Sequence, residues 1–282
     1  MPLLTEDQGF LNVKLVSDPV FANDYLSFPM DGSFSISGKT PTGNTDFPKM
    51  PVFVNSINGK QAQSQVFVSE HTLNSALDTL ANAGFLSFPT EVSSTYLKTF
   101  FSNFEEVYGH HEKIKIILET ETAPRIDIKQ GISSLDGEAT LRFLNPFNDE
   151  YEAVMMRCNL TAEVEFELLH DFTLVGDIKN MTLSVTAFEA YFQTSVTLPH
   201  INTQVESLAG PFAQVVNYEL ASGYRLPIPA RQSRELSQTR LFTYAHFLMV
   251  ESDPQITTRV RAKALKMTNH IEQKINNLFL EN

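Results

Sequence analysis

The sequence predicts an α+β protein in which a long, strongly curved antiparallel sheet wraps around two long helices. Three observations predict it. From Lys113 to about Leu198 apolar and polar residues alternate in long runs, the period-two signature of strands with one buried face. One amphipathic helical pattern precedes that region and a second follows it. A sheet with one apolar face needs a covering layer, and the two helical stripes supply one. At 282 residues the chain is long enough to bury such a core, and 42% hydrophobic against 19% charged residues marks a globular composition. No apolar run approaches the roughly 20 residues that a membrane-spanning helix requires. A formal charge of −12 argues against a nucleic-acid partner, whose phosphates need a basic face. The aromatic content, 22 Phe with no Trp, suits a thick apolar interior.

Taken in order, Phe10, Val13 and Leu15 belong to a first extended piece. Ser33–Ser37 (SFSIS) forms a second, after a turn at Asp31-Gly32. Residues 37–51 (SGKTPTGNTDFPKMP) are rich in Gly, Pro, Thr and Asp and read as a long loop or linker. A strand over Gln65–Val68 leads into the first helix. Ser69 is its predicted N-cap, Glu70 sits in the positive first turn, and Leu73, Leu77, Leu80 and Ala81 form its stripe up to a stop at Gly84. Thr95–Tyr108 is a shorter helical or irregular segment that clusters Phe100, Phe101 and Phe104. Beyond the His110-His111 loop, Ile114, Ile116 and Leu118 face one side of a strand. Pro124 breaks it, and Ile126 and Ile128 restart it.

Ser134-Leu135-Asp136-Gly137 carries a hairpin signal, with Ala139, Leu141 and Phe143 alternating behind it. Val164, Phe166 and Leu168 then alternate with Glu163, Glu165 and Glu167, which gives one apolar face and one acidic face. Gly176-Asp177 is read as a turn before Met181, Leu183, Val185 and Ala187. The second long helix is predicted from about Val205. Val205, Leu208, Phe212, Val215 or Val216, and Leu220 recur at steps of three and four, Gly223 supplies the stop, and Pro227 and Pro229 forbid continuation. Ala230–Val250 reads as extended chain, with Leu241, Thr243, Ala245, Phe247 and Met249 on one face. Pro254 opens a third amphipathic helix reaching about Leu280, its face marked by Ile256, Val260, Ala264, Met267, Ile271, Ile275 and Leu278. Five cations there, Arg259, Arg261, Lys263, Lys266 and Lys274, stand against Glu272 and Glu281. That segment is therefore +3 on a chain whose remainder is −15. It fits packing on the protein's own body, a membrane-surface helix, or a docking helix for a partner.

Two phrases carry a resemblance. Val66–Leu86 (VFVSEHTLNSALDTLANAGFL) and Val205–Pro229 (VESLAGPFAQVVNYELASGYRLPIP) resemble, in order and spacing, the two helices and the final strand of the carboxy-terminal barrel in a known family. That family is the bactericidal/permeability-increasing protein, lipopolysaccharide-binding protein and phospholipid-transfer family, and the likeness spans about residues 10–250. It implies a super-roll barrel. It implies three segments: 1–50 as central-sheet strands and a proline-rich linker, 51–250 as the lipid-binding barrel, and 251–282 as an added basic helix. The chain is then expected to begin inside a longer precursor, because its first residues, MPLLTEDQGF, lack the basic start and apolar run of a secretory leader. An amino-terminal barrel of the same polypeptide is then missing.

The resemblance also implies a non-enzymatic lipid-binding or lipid-transfer function, with phospholipid or fatty acyl chains as the bound ligand and no other cofactor. Leu73, Leu77, Leu80, Leu208, Phe212, Val216 and Leu220 are then tunnel-lining residues, with Phe85 and Leu86 near the mouth. From periodicity alone the same residues read as a dry core. Secretion or a secretory-pathway lumen is implied, a route that the acceptor tripeptides at Asn159 and Asn180 also fit. An innate-immune role is compatible with the family, but its capture of bacterial glycolipid belongs to a basic amino-terminal barrel, whereas this chain is acidic. The alternative reading is a scaffold whose basic terminal helix docks a membrane or protein partner.

Signals for chemistry are few. There is no G-x-S-x-G, H-E-x-x-H, phosphate-cradling glycine loop or dinucleotide fingerprint. His110-His111 lacks a third metal ligand at suitable spacing, and Asn148-Asp149-Glu150 with Glu152 lacks the spaced oxygens of a calcium loop. Cys158, the single cysteine, has no activating partner nearby in sequence. Arg225, Arg231, Arg234 and Arg240 are either scattered surface charges or one end-of-barrel cluster for a phosphate headgroup.

Overall fold

The computed structural model describes residues 9–12, 14–21, 26–36, 64–120, 122–169, 173–225 and 236–254. The chain opens with β1 (Gly9–Leu11), β2 (Val20–Phe21), β3 (Leu26–Ser27) and β4 (Phe34–Ile36), in which β1 pairs with β4 and β2 with β3, both antiparallel. The predicted turn at Asp31-Gly32 is not a reversal: the Asp31 and Gly32 N–H groups donate to the Lys14 and Asn12 carbonyls, so the chain stays paired with the β1 side as it runs into β4, with Gly32 at φ 68° marking an irregularity in that pairing. β5 (Ser64–Ser69) then enters α1 (Glu70–Asn82). The Ser69 hydroxyl accepts from the Thr72 N–H at 3.3 Å, so the predicted cap is formed, and Gly84 at φ 76° closes the far end.

β6 (Ser87–Val92) and β7 (Ile114–Thr120) pair antiparallel and flank the short helices α2 (Ser94–Leu97) and α3 (Phe104–Tyr108). Pro89 is tolerated in β6 because that strand lies at the end of the sheet and pairs only with β7. β8 (Arg125–Asp127), β9 (Ser133–Asn145), β10 (Asn148–Leu168), β11 (Thr173–Ala190) and β12 (Tyr224–Arg225) complete the main sheet. Its order is β12-β11-β10-β9-β7-β6, with β8 also on β9. Ala139, Leu141, Phe143, Val154, Met156, Leu160, Val164, Leu183 and Val185 are buried on its inner face. Arg157, Asn159, Thr161 and Glu165 face solvent on the other, the division that the alternation predicts. The remaining elements are α4 (Leu198–Leu220), β13 (Leu236–Tyr244) and β14 (Phe247–Pro254). A smaller sheet has the order β13-β14-β5. The architecture is α+β with antiparallel sheets. Among the described residues the sheets are open and do not close into a barrel.

Several expectations are corrected. Residues 134–137 form no turn: β9 runs straight through them, paired with β10. Gly137 is small there because a Cβ would lie 2.9 Å from the Pro124 Cβ, a close approach and not a chain reversal. Gly176-Asp177 also lies inside a continuous strand, with Gly176 opposite Phe166, and the reversal comes earlier, between Leu168 and Thr173. On the inner face of β11 the alternation slips at the bulge opposite Arg157/Cys158, so Ala187 is exposed and Phe188 packs inward. Finally, residues 236–254 are a hairpin and not one strand: β13 and β14 pair around a two-residue turn at Ala245-His246, with His246 at φ 72°.

α4 begins at Leu198, seven residues before the predicted start. Pro199 fits there because first-turn N–H groups have no intrahelical acceptor. Pro254 is the last residue of β14 and not the first of a helix. The linker 37–51, Pro227 and Pro229, and the basic segment after Pro254 lie outside the described residues.

Candidate functional site

The interior is built by two helices, each fixed to strand backbone by asparagine. α4 carries Asn202 and Asn217 beside its apolar stripe. The Val185 N–H donates to Asn202 Oδ1 at 2.6 Å, and Asn202 Nδ2 donates to the Val185 carbonyl at 3.0 Å. Asn217 repeats this on Ile178, at 2.7 and 3.0 Å, and also donates to Asp177 Oδ1 at 2.8 Å. Fifteen helical residues rise about 22 Å. The seven strand residues between Ile178 and Val185 span about 23 Å. The two spacings match, so α4 lies antiparallel along β11 without slipping. β12 pairs with β11 only at Thr173 and Leu174, which leaves the rest of that strand's outer backbone to be covered by the helix.

α1 uses the same device. Asn74 Nδ2 donates to the Ile126 carbonyl at 2.9 Å and Asn74 Oδ1 accepts from the Ile126 N–H at 2.7 Å. On another side of α1, Ser75 Oγ accepts from the Phe34 N–H at 2.8 Å, and Thr79 Oγ1 donates to the Phe34 carbonyl at 3.0 Å. α1 thereby bridges the amino-terminal strands to the main sheet. Periodicity gives no hint of these residues. The available signal is asparagine inside a helix, where its propensity is poor and some other interaction must hold it.

The proposed lining residues fall into two groups. Leu80, Leu86, Leu208, Phe212 and Val216 are buried in the main core, Phe212 at 0% exposure. Leu77, Phe85 and Leu220 are half-buried against that same core. Leu73 stands apart and packs on a second, smaller core of Ile128, Leu174, Leu248 and Val250. Between the main sheet and α2–α3, Phe100, Phe101 and Phe104 are fully buried, with Phe192 edge-on to Phe101 at 5.5 Å and to Phe104 at 5.9 Å. On the outer face, a depression of about 260 Å³ is lined by Glu138, Ala139, Arg157, Cys158, Asn159 and Thr186. Asn159 and Asn180 are both exposed, and Asn180 Nδ2 donates to Glu163 Oε2 at 2.6 Å.

Reactive groups are used structurally. Ser94, Glu105 and His110 meet, but both His110 contacts, 3.3 Å to Ser94 Oγ and 3.0 Å to Glu105 Oε1, use the single nitrogen Nδ1. A relay needs one ring nitrogen for the hydroxyl and the other for the acid. Ser94 Oγ instead donates to Glu105 at 2.9 Å and accepts from the His111 N–H at 2.9 Å, tying the loop together. Glu105 is held down at about 2, first by His110, then by Ser94 and Lys98. Burial pushes the Cys158 thiol up to about 12, which leaves negligible thiolate at neutral pH. Glu152 is engaged by Arg142 at 2.6 Å. His111 Nε2 is engaged by the Tyr108 carbonyl at 2.8 Å. Arg240 pairs with the fully buried Glu251 at 2.7 Å, so it is committed to the protein and not offered to a headgroup. Arg231, Arg234, Arg259, Arg261, Lys263 and Lys266 lie outside the described residues, and Arg225 is described only as part of β12.

Among known proteins, residues 5–256 match the model of the LBP / BPI / CETP family, C-terminal domain. Among solved structures, the crystal structure of lipopolysaccharide binding protein is similar at 16% identity and a TM-score of 0.39, over 88% of this chain and 55% of that one. The structure of P47 from Clostridium botulinum A2 is similar at 13% identity and a TM-score of 0.27, over 68% of this chain and 48% of that one. The chain thus spans about half the length of each, and at these scores neither likeness carries an argument. A search of curated proteins finds no match. The family match covers most of the sequence and is sufficient alone: the chain belongs to the LBP/BPI/CETP family of lipid-binding proteins, in the region of its carboxy-terminal domain.

Proposed function

We propose that this chain is a non-enzymatic carboxy-terminal lipid-binding domain that holds phospholipid acyl chains between its helices and its sheet. Family membership supports lipid binding in general. The observation that carries the finer reading is the apolar core between the helices and the sheet, against which Leu77, Phe85 and Leu220 are each only half-buried. An acyl chain entering there gains about 0.8 kcal/mol per buried methylene. It displaces apolar side chains without breaking a strand pair, and the asparagine contacts hold α1 and α4 on their strands while it does so. In this reading residues 1–50 are central-sheet strands and linker, 51–250 are the lipid-binding unit curled as a super-roll, and the polypeptide is secreted with an amino-terminal barrel preceding it. Residues 255–282 follow as a basic segment.

The second reading, a scaffold whose terminal segment docks a membrane or partner, is favoured by one observation, the +3 charge of residues 254–282 on an acidic chain. Native mass spectrometry of the full chain and of a version ending at residue 253, each incubated with phosphatidylcholine vesicles, separates the two. A stoichiometric phospholipid adduct on both forms is the expected result. Bare polypeptide in both contradicts an acyl-binding interior, and an adduct lost on truncation supports the docking segment instead.

A further inference from the structure

Three side chains far apart in sequence meet where α1 begins. Glu70 is the first residue of α1, Asp127 the last of β8, and His246 the second residue of the β13–β14 turn. One ligand atom from each, two carboxylate oxygens and an imidazole nitrogen, lie within 4.8 Å of one another. We propose that Glu70, Asp127 and His246 form a site for a divalent transition-metal ion, best matched to Zn²⁺. Neither the family match nor the lipid-binding reading requires such a site.

The backbone argues for a preset site. The Glu70 N–H donates to the His246 carbonyl at 3.0 Å, the His246 N–H to the Ile128 carbonyl at 2.8 Å, and the Ile128 N–H to Glu70 Oε2 at 3.4 Å. These bonds lock the three segments to one another, so Glu70 and His246 are in place whether or not an ion is present. His246 Nδ1 lies 3.1 Å from Glu70 Oε2. Ligands about 2.0–2.1 Å from a tetrahedral zinc stand about 3.3 Å apart, so this pair already spans one edge of the polyhedron. Asp127 completes the set by a side-chain rotation that releases Lys129, now 3.2 Å away. Its half-exposed carboxylate is free to make that movement.

The donor set also limits the ion. Two carboxylates and one imidazole neutralise a dication and leave a position for water. Calcium takes six to eight oxygens, and an imidazole donor turns the preference to transition metals. A bound ion would staple the start of α1 to the hairpin and to β8.

The test is calorimetric titration of the chelator-stripped full chain with zinc chloride alone, together with thermal unfolding. One ion per chain and a raised Tm are expected. Asp127→Asn and His246→Ala should each weaken binding at least tenfold and remove the Tm rise, while His110→Ala leaves both intact. Circular dichroism of the unliganded variants checks that each is folded. Absence of saturable binding overturns the site, and so does wild-type affinity in either Asp127→Asn or His246→Ala.

Discussion

Glu105 shows how single side chains in this protein are tied up by their neighbours. His110, Ser94 and Lys98 hold its carboxylate, and the resulting preference for the charged form becomes a pH dependence of stability. Because the folded-state value, about 2, is below the ordinary carboxylate value of 4.5, the contribution is present above 4.5 and is lost as pH falls toward 2. Thermal unfolding of the parent chain and of Glu105→Gln should therefore differ at pH 5 and converge near pH 2. A gap that stays constant down to pH 2 would contradict this. Residue-level misreadings have a common cause. Gly137 and Gly176 both sit in sequences that resemble turns, yet both lie inside paired strands, and at Gly137 a close approach looks the same in sequence as a reversal. Pro124, which would meet a Cβ on Gly137, is thirteen positions away, and sequence pattern does not bring the two together.

At the scale of elements, the helices rest on asparagine contacts as well as on apolar stripes. Replacing Asn217 by alanine removes two bonds to Ile178 and one to Asp177 and strips the strand of its partner. Loss of about 1–3 kcal/mol is expected. The Asn202 and Asn217 effects should add, because the sites are four helical turns apart and share no partner. Chemical denaturation of the two single variants and the double variant checks both points, and a change under about 0.5 kcal/mol in either single variant would contradict the account.

The stripe of α4, the Ser69 cap and the inner faces of β9 and β10 were legible because burial on one side imposes a period. The asparagine contacts were not, since a polar residue at the margin of a stripe carries no period. The β13–β14 hairpin was also hidden. Alternation continues across the turn at Ala245-His246, and neither residue is a common occupant of a two-residue loop. The meeting of Glu70, Asp127 and His246 depends on that hairpin and was equally out of reach.

Across the whole molecule, family membership and the apolar core between helices and sheet support the central proposal, that acyl chains occupy the interior. The chain contains no tryptophan, so one introduced in the core is a unique emitter. Phe212→Trp places it at the centre of α4's buried face. The decisive measurement is emission from this variant after exposure to phosphatidylcholine vesicles with brominated acyl chains and removal of the vesicles. The account predicts quenching that persists in the vesicle-free protein and is absent when unbrominated lipid is used. Emission equal for the two lipids would show that the interior excludes acyl chains, and the lipid-binding reading of this core would then fall.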